Sequence, residues 1–285
     1  MTSNRDLGDC LIANVPLRDL LSTELKRAGF QVVLPDEAGP KTLRIPMGHW
    51  VEITALLMLG RADNPARLYD DDGNLLAWKG NEDPTECRER LVTHDECFRV
   101  RYPWDLIQLN EEVVDMIDES SIQGTVSPMA QINGNLRLGP GSEILSGVVV
   151  EGNVIIGANT RIGPNTYIRG ATSIGNNCYI GHGTEVKNST IYNNTYISRS
   201  CYVGDSVIGS HVTLGAGTAT ENHRHDGRTH TSFIDGSPVD TCRLKLGAII
   251  GDGVKTGVNT SLEAGVKIGL GRTTRAGSYV GKDLM

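Results

Sequence analysis

Groups able to do chemistry crowd into one stretch of the 285-residue chain, between residues 220 and 246. Glu221, Asn222, His223, Arg224, His225, Asp226, Arg228 and His230 follow one another closely there. Imidazoles can ligate a metal ion or take up a proton near neutral pH. His225 and His230 stand in H-x4-H spacing, which permits a zinc-type reading. Carboxylates and guanidinium groups alongside them would suit binding of a charged small molecule.

Such a stretch needs a scaffold to hold it, and the flanking sequence supplies a strict period. An aliphatic residue returns every sixth position at Leu138, Ile144, Val150, Ile156, Ile162, Ile168, Ile174, Ile180 and Val186. After one short step it resumes at Ile191, Ile197 and Val203, and after another at Ile208 and Leu214. Gly often follows the aliphatic, and a small or β-branched residue often sits four places on, as at Ser142, Thr160, Thr184 and Thr218. This is the hexapeptide signature of a parallel β-helix. The aliphatic faces inward, three hexads close one triangular coil, and coils stack because none buries its own apolar edge. Hexads return at Ile250, Thr256, Leu262, Ile268, Thr274 and Val280, so residues 220–246 form a loop projecting from the solenoid. Loops held on rigid scaffolds are common places for function.

The remaining sequence predicts a small α/β domain over residues 1–110. Pro16 to Gly29 has a helical apolar face at Leu17, Leu20, Leu21 and Leu25. Phe30–Leu34 reads as a strand, Val51–Leu59 as a helix broken at Gly60, and 67–78 as a hairpin turning at Asp72-Gly73. Residues 103–118 read as a linking helix, residues 111–137 as linker and lead-in, and 138–285 as the β-helix. Net charge is −7, which gives no case for a nucleic-acid binder. The six cysteines form no C-x-x-C pair and no run reaches the length of a membrane span, so a soluble cytoplasmic protein is expected.

From Tyr167 onward the chain reads YIRG, SIGNNCYIGHGTEVKNS, YVGDSVIG, LGAGTATEN and KLGAIIGDGVKTGVNTSLEAGVKIG. This text resembles the left-handed β-helix acetyltransferase domain of the bifunctional sugar-1-phosphate nucleotidylyltransferase / amino-sugar-1-phosphate acetyltransferases, in particular the archaeal branch. The resemblance covers about residues 120–285. It implies a mainly β fold, a homotrimer with sites between subunits, acetyl-CoA as co-substrate, and no metal. A sugar phosphate or nucleotide sugar would be the acceptor. Carried over residue by residue, it implies that Arg169 binds the substrate phosphate and that Lys187 and Tyr202 bind substrate. Ala216 would meet the CoA arm, and Asn222 would lie near the reacting groups. Arg and Lys agree in kind with phosphate recognition.

Two positions depart from the family. Its general-base His is Arg199 here, and Arg cannot act as a base at neutral pH. An Asn before GAGT is Thr213. His182 and Arg199 are both third in their hexads and should stack one coil apart, with Ala216 one coil further, so His182 is a candidate displaced base. The N-terminal text ANVPLRDLLSTELKRAGF and RYPWDLIQLN resembles pieces of the family's nucleotidylyltransferase domain, but the phosphate-binding G-x-G-T-R-M loop is absent. The domain is also short for that fold, so nucleotidyltransferase activity is expected to be lost. Two alternatives follow: a non-catalytic sugar-phosphate-binding pseudoenzyme or scaffold, and a metal enzyme like the γ-class carbonic anhydrases, which are also hexapeptide trimers.

Overall fold

The computed structural model describes residues 6–33, 35–94 and 97–285. The chain divides into two compact units, one of residues 11–14 and 102–285, the other of residues 6–10 and 15–101.

The larger unit is a parallel β-solenoid, the mainly β, β-helix class that the hexads predict. Three parallel sheets of six, eight and eight short strands form its walls. Each inward aliphatic stacks on the aliphatic of the next coil, as in Ile156↔Ile174↔Ile191↔Ile208↔Ile250↔Ile268. Ile162, Ile168, Ile174, Ile180, Val186, Ile197 and Val203 are all fully buried. The small residues of the hexads have a second task. Their hydroxyls donate to carbonyls of the next coil, Thr160 to Gly175 at 2.8 Å and Thr195 to Gly209 at 2.9 Å. Buried corner carbonyls thereby find partners.

Coiling starts earlier than the first clear hexad. Ser121–Ile122 already pairs with Arg137–Leu138, and Thr125–Val126 with Glu143–Ile144. Ile122 remains largely exposed in this terminal coil. The 220–246 stretch leaves at one corner and returns without breaking the stack, since Val207–Ile208 pairs directly with Ile249–Ile250. Within it, Thr231–Ile234 and Ser237–Asp240 form an antiparallel hairpin. Helix α3, Asp105–Asp115, packs on one wall through buried Asn110; the two earlier helices, α1 (Leu17–Arg27) and α2 (Ile53–Arg61), belong to the smaller unit. The Asn110 amide donates to Ala171 O at 2.9 Å and accepts from Ser173 Oγ at 2.6 Å.

In the smaller unit, α1 spans Leu17–Arg27 and α2 spans Ile53–Arg61. Helix α2 packs on a four-stranded sheet containing the expected hairpin, Ala66–Tyr69 against Leu75–Lys79. Two expectations fail here. Helix α2 does not break at Gly60, because the Lys79 ammonium caps its last turn, donating to Gly60 O at 2.9 Å and Ala62 O at 2.5 Å. Residues 30–33 form no strand: Phe30 N–H closes the end of α1 on Leu25 O, and its ring packs into the core instead. Leu34 lies outside the described residues.

Candidate functional site

One solenoid wall carries most of the candidate residues. Its strands Tyr167–Arg169, Glu185–Lys187 and Tyr202–Gly204 are in register, with Ala219–Thr220 next in order. Side chains alternate across a strand. Burying Ile168, Val186 and Val203 therefore turns Tyr167, Arg169, Glu185, Lys187 and Tyr202 outward. Arg169 stacks over Lys187, and Tyr167, Glu185 and Tyr202 form a parallel row.

These side chains form a joined polar network. Arg169 donates through Nε and Nη2 to Glu185, each at 2.8 Å. Glu185 raises the guanidinium's pKa above its ordinary value. Lys187 Nζ lies 2.6 Å from Asp205 Oδ2, a carboxylate only 2% exposed. Asn222 Nδ2 donates to the same oxygen at 2.5 Å and to the Tyr202 hydroxyl at 3.0 Å. Burial, then the nearby Glu185 and Asp205 carboxylates, push the Tyr202 phenol above its usual pKa, so it stays a donor. Gly204 makes room for the Tyr202–Asn222 contact: a Cβ there would meet Tyr202 Oη at 2.6 Å and Asn222 Nδ2 at 2.7 Å.

The network continues to α3. Asn188 Nδ2 donates to Asp205 Oδ1 at 3.1 Å and to Glu111 Oε1 at 2.5 Å. Arg243, at the loop's exit, reaches the same Glu111 oxygen at 2.6 Å.

His182, Arg199 and Ala216 make a separate column. Each stands three residues ahead of a strand of this wall, at its entering corner. The coils stack as the hexads require: Ser200 N donates to His182 O, and Gly217 N to Arg199 O. His182 is exposed, and its Nδ1 is 3.0 Å from Pro164 O. A carbonyl only accepts, so Nδ1 carries a proton, and in the neutral ring the lone pair is then on Nε2. The exposed Arg199 guanidinium has no partner among the described residues.

His223 and His225 meet edge to face, ring centroids 6.4 Å apart, but the loop histidines form no three-ligand cluster. His225 is exposed and His230 is buried, and among the described residues no group of three or more His, Cys, Asp or Glu could hold a metal ion. Burial lowers the His230 pKa, with Arg224 adding to it, and its Nε2 has no hydrogen-bond partner among the described residues. A His with a depressed folded pKa binds its proton more readily when unfolded. The stability that His230 contributes is therefore expected to be full above about pH 6.5 and to fall as the pH drops below it; His49, also lowered by burial, adds a loss of the same sign, so His230→Leu should reduce the fall rather than abolish it. Melting curves from pH 7.5 to 5 measure this.

Asp205, Glu185, Asn188, Glu111 and Arg243 were not singled out from sequence. A signal existed for Asp205. It lies one coil beyond Asn188, the neighbour of Lys187, and one short of Asn222, and the hexad count alone sets that spacing. For Glu111 there was none, since its helix lies outside the repeat.

Residues 150–264 match the family described as the GMPPB C-terminal domain. The bifunctional protein GlmU of Methanococcus maripaludis strain S2 is 37% identical over 215 residues, 72% of this chain and 52% of that protein. A bifunctional sugar-1-phosphate nucleotidylyltransferase/acetyltransferase of Sulfurisphaera tokodaii is 38% identical over 182 residues, 64% of this chain and 45% of that protein. Among solved structures, the UDP-N-acetylglucosamine acyltransferase of Francisella novicida overlaps 58% of this chain and 61% of its own, at 18% identity and a TM-score of 0.44. The chain spans about half the length of the curated relatives it matches. By these matches it is a homologue of the archaeal bifunctional GlmU and sugar-1-phosphate nucleotidylyltransferase/acetyltransferase proteins.

Proposed function

We propose that the chain is an acyl-CoA-dependent acetyltransferase acting on an amino-sugar 1-phosphate or a related sugar phosphate, working as a homotrimer. The observation that carries this reading is the grouping of Arg169, Lys187, Tyr202 and Asn222 on one solenoid wall. Both cations have internal carboxylate partners but keep donors to spare. A guanidinium offers five N–H bonds and an ammonium three, while Glu185 engages two of Arg169 and Asp205 one of Lys187. The spare donors suit phosphate oxygens. Names of the relatives, sugar-1-phosphate nucleotidylyltransferase/acetyltransferase among them, agree with this class of substrate.

In the reaction, the neutral amine nitrogen of the sugar attacks the thioester carbonyl carbon of acetyl-CoA. The N–C bond forms, the C–S bond breaks, and the thiolate leaves as CoA after protonation. The amine's extra proton goes to a base. His182 Nε2 takes that role in this reading, with Nδ1–H held on Pro164 O. In this reading these 285 residues carry out acetyl transfer only, since they contain no G-x-G-T-R-M text to cradle a triphosphate.

A thiol-release assay tests the reading, using acetyl-CoA with glucosamine 1-phosphate or galactosamine 1-phosphate. CoA release that depends on the sugar is expected, with no pyrophosphate formed when a nucleoside triphosphate is supplied instead. The presence of Arg199 where relatives of this type are expected to carry a His favours a second reading, a sugar-phosphate-binding protein without turnover. Tight sugar-phosphate binding by calorimetry without CoA release would select it.

A further inference from the structure

Asp205 is the most enclosed ionised group on the candidate wall, and neither the charge of a phosphate nor the chemistry of acetyl transfer calls for it. It is 2% exposed and sits at a corner with φ of +48°, pinned by its own backbone. Its N–H donates to Lys187 O at 2.8 Å, and its carbonyl accepts from Gly247 N–H at 2.8 Å. Its carboxylate receives Lys187 and Asn222 on one oxygen and Asn188 on the other. Burying such a charge is tolerable only when it is fully paired. Here it is: Lys187 and Arg243 balance Asp205 and Glu111, with Asn188 bridging the two carboxylates.

An Asn side chain can turn over by 180°, exchanging its donor and acceptor limbs with little change of shape. A carboxylate abolishes that freedom because it can only accept. With Asp205 Oδ2 at 2.5 Å, the inward limb of Asn222 must be Nδ2. Tyr202 Oη accepts from the same Nδ2 at 3.0 Å, which keeps its own proton for another acceptor. The carbonyl limb of Asn222 makes no hydrogen bond among the described residues.

We propose that Asp205 is a positioning residue of this site, holding the Lys187 ammonium and locking the Asn222 amide so that its Oδ1 accepts an N–H of the substrate while the Tyr202 hydroxyl donates. The inference rests on the acetyltransferase reading for the identity of that N–H, an amine being a group that needs an acceptor. It goes beyond that reading in giving a role to a residue that touches no substrate. Glu111 and Arg243 support it from behind, tying the loop's exit to the same carboxylate pair through Asn188.

The test is Asp205→Asn in the full chain, with three readouts. Lys187 is half-enclosed against Asp205 (14% exposed side chain), so its acylation by an amine-reactive ester, followed by mass spectrometry, reports the ion pair directly. Labelling of Lys187 is expected to rise roughly tenfold in the variant, as a charge-assisted hydrogen bond is lost. The kcat with the amino sugar is expected to fall about 10²-fold, with the KM for acetyl-CoA unchanged, as for loss of one oriented polar group. A melting curve separates this from unfolding. Unchanged Lys187 labelling together with an unchanged kcat overturns the proposal. If the wild type releases no CoA, the acetyltransferase reading fails by itself, and the labelling still decides Asp205: a rise supports the lock, no change refutes it. Should Asp205→Asn not fold, Asn222→Asp sets a second carboxylate against Asp205 and must lower kcat without altering the acetyl-CoA KM; an unaltered kcat overturns the proposal.

Discussion

Replacing His182 with Gln is expected to lower CoA release by about 10²- to 10³-fold, the usual range for removing a general base. Gln is close to His in reach and can keep a donor on Pro164 O, so the corner should remain intact. The KM for the sugar phosphate is expected to stay the same, because Arg169 and Lys187 lie in the neighbouring strands and are untouched. Adding Arg199→His to that variant should restore much of the loss. Arg199 stands directly one coil beyond His182, where Ser200 N–H meets His182 O, so a His there offers a second imidazole on the same column. Arg199 itself cannot take the proton, since its guanidinium stays charged at any pH the protein tolerates. An unchanged rate in His182→Gln would remove His182 from the mechanism. Rescue by Arg199→His would then be tested in the wild-type background, where a rise would assign the base to that position alone.

Gly247→Ala is expected to cost about 3 kcal/mol of stability, the upper range for overpacking a filled interior. A Cβ at this position would lie 1.9 Å from Gly204 O and 2.2 Å from Ser206 Oγ. The nearer of these is backbone and cannot rotate aside. Nor can the chain at 247 back away freely, since its N–H is bonded to Asp205 O and Ala248 N–H to Ser206 Oγ at 2.9 Å. The clash thus falls on Gly204 and Asp205 together, and the damage should extend to the site as well as the fold. Gly39→Ala, where nothing lies within 4 Å, is the neutral comparison. Melting temperatures of the two variants measure the difference, and equal values would refute the packing argument.

The solenoid was legible because its determinant is local. Each inward aliphatic is required by its own coil, so the period survives in sequence wherever a coil exists. The first coil was missed because a terminal coil has a neighbour on one side only, and Ile122 there is left largely exposed. Gly60 misled because the Lys79 ammonium that caps helix α2 comes from a strand distant in sequence. The strand expected at residues 30–33 had the right composition but no ladder to join. On the candidate wall, motif text named Arg169, Lys187, Tyr202 and Asn222, which the fold brings together, and the hexad count placed His182 beside Arg199. What it could not show was which cation meets which carboxylate. Asp205 stood inside a quoted motif, yet its importance comes from burial and from three converging donors, and Glu111 reaches it from a helix with no part in the repeat.

The corner at which residues 220–246 leave the solenoid is the same corner that holds Gly170-Ala171, Asn188-Ser189 and Asp205-Ser206 in successive coils. The stack is blind to what is inserted there, since Ile208 and Ile250 pair as closely as any neighbours in sequence. Lengthening such a loop is inexpensive, each doubling costing only about 0.6 kcal/mol in closure entropy. The wall and the two roots of the loop, Asn222 and Arg243, are held by hydrogen bonds, while the hairpin tip at residues 235–238 is exposed. Evolution, or an engineer, can therefore lengthen or exchange this tip as a cassette without re-solving the fold or disturbing Asn222 and Arg243.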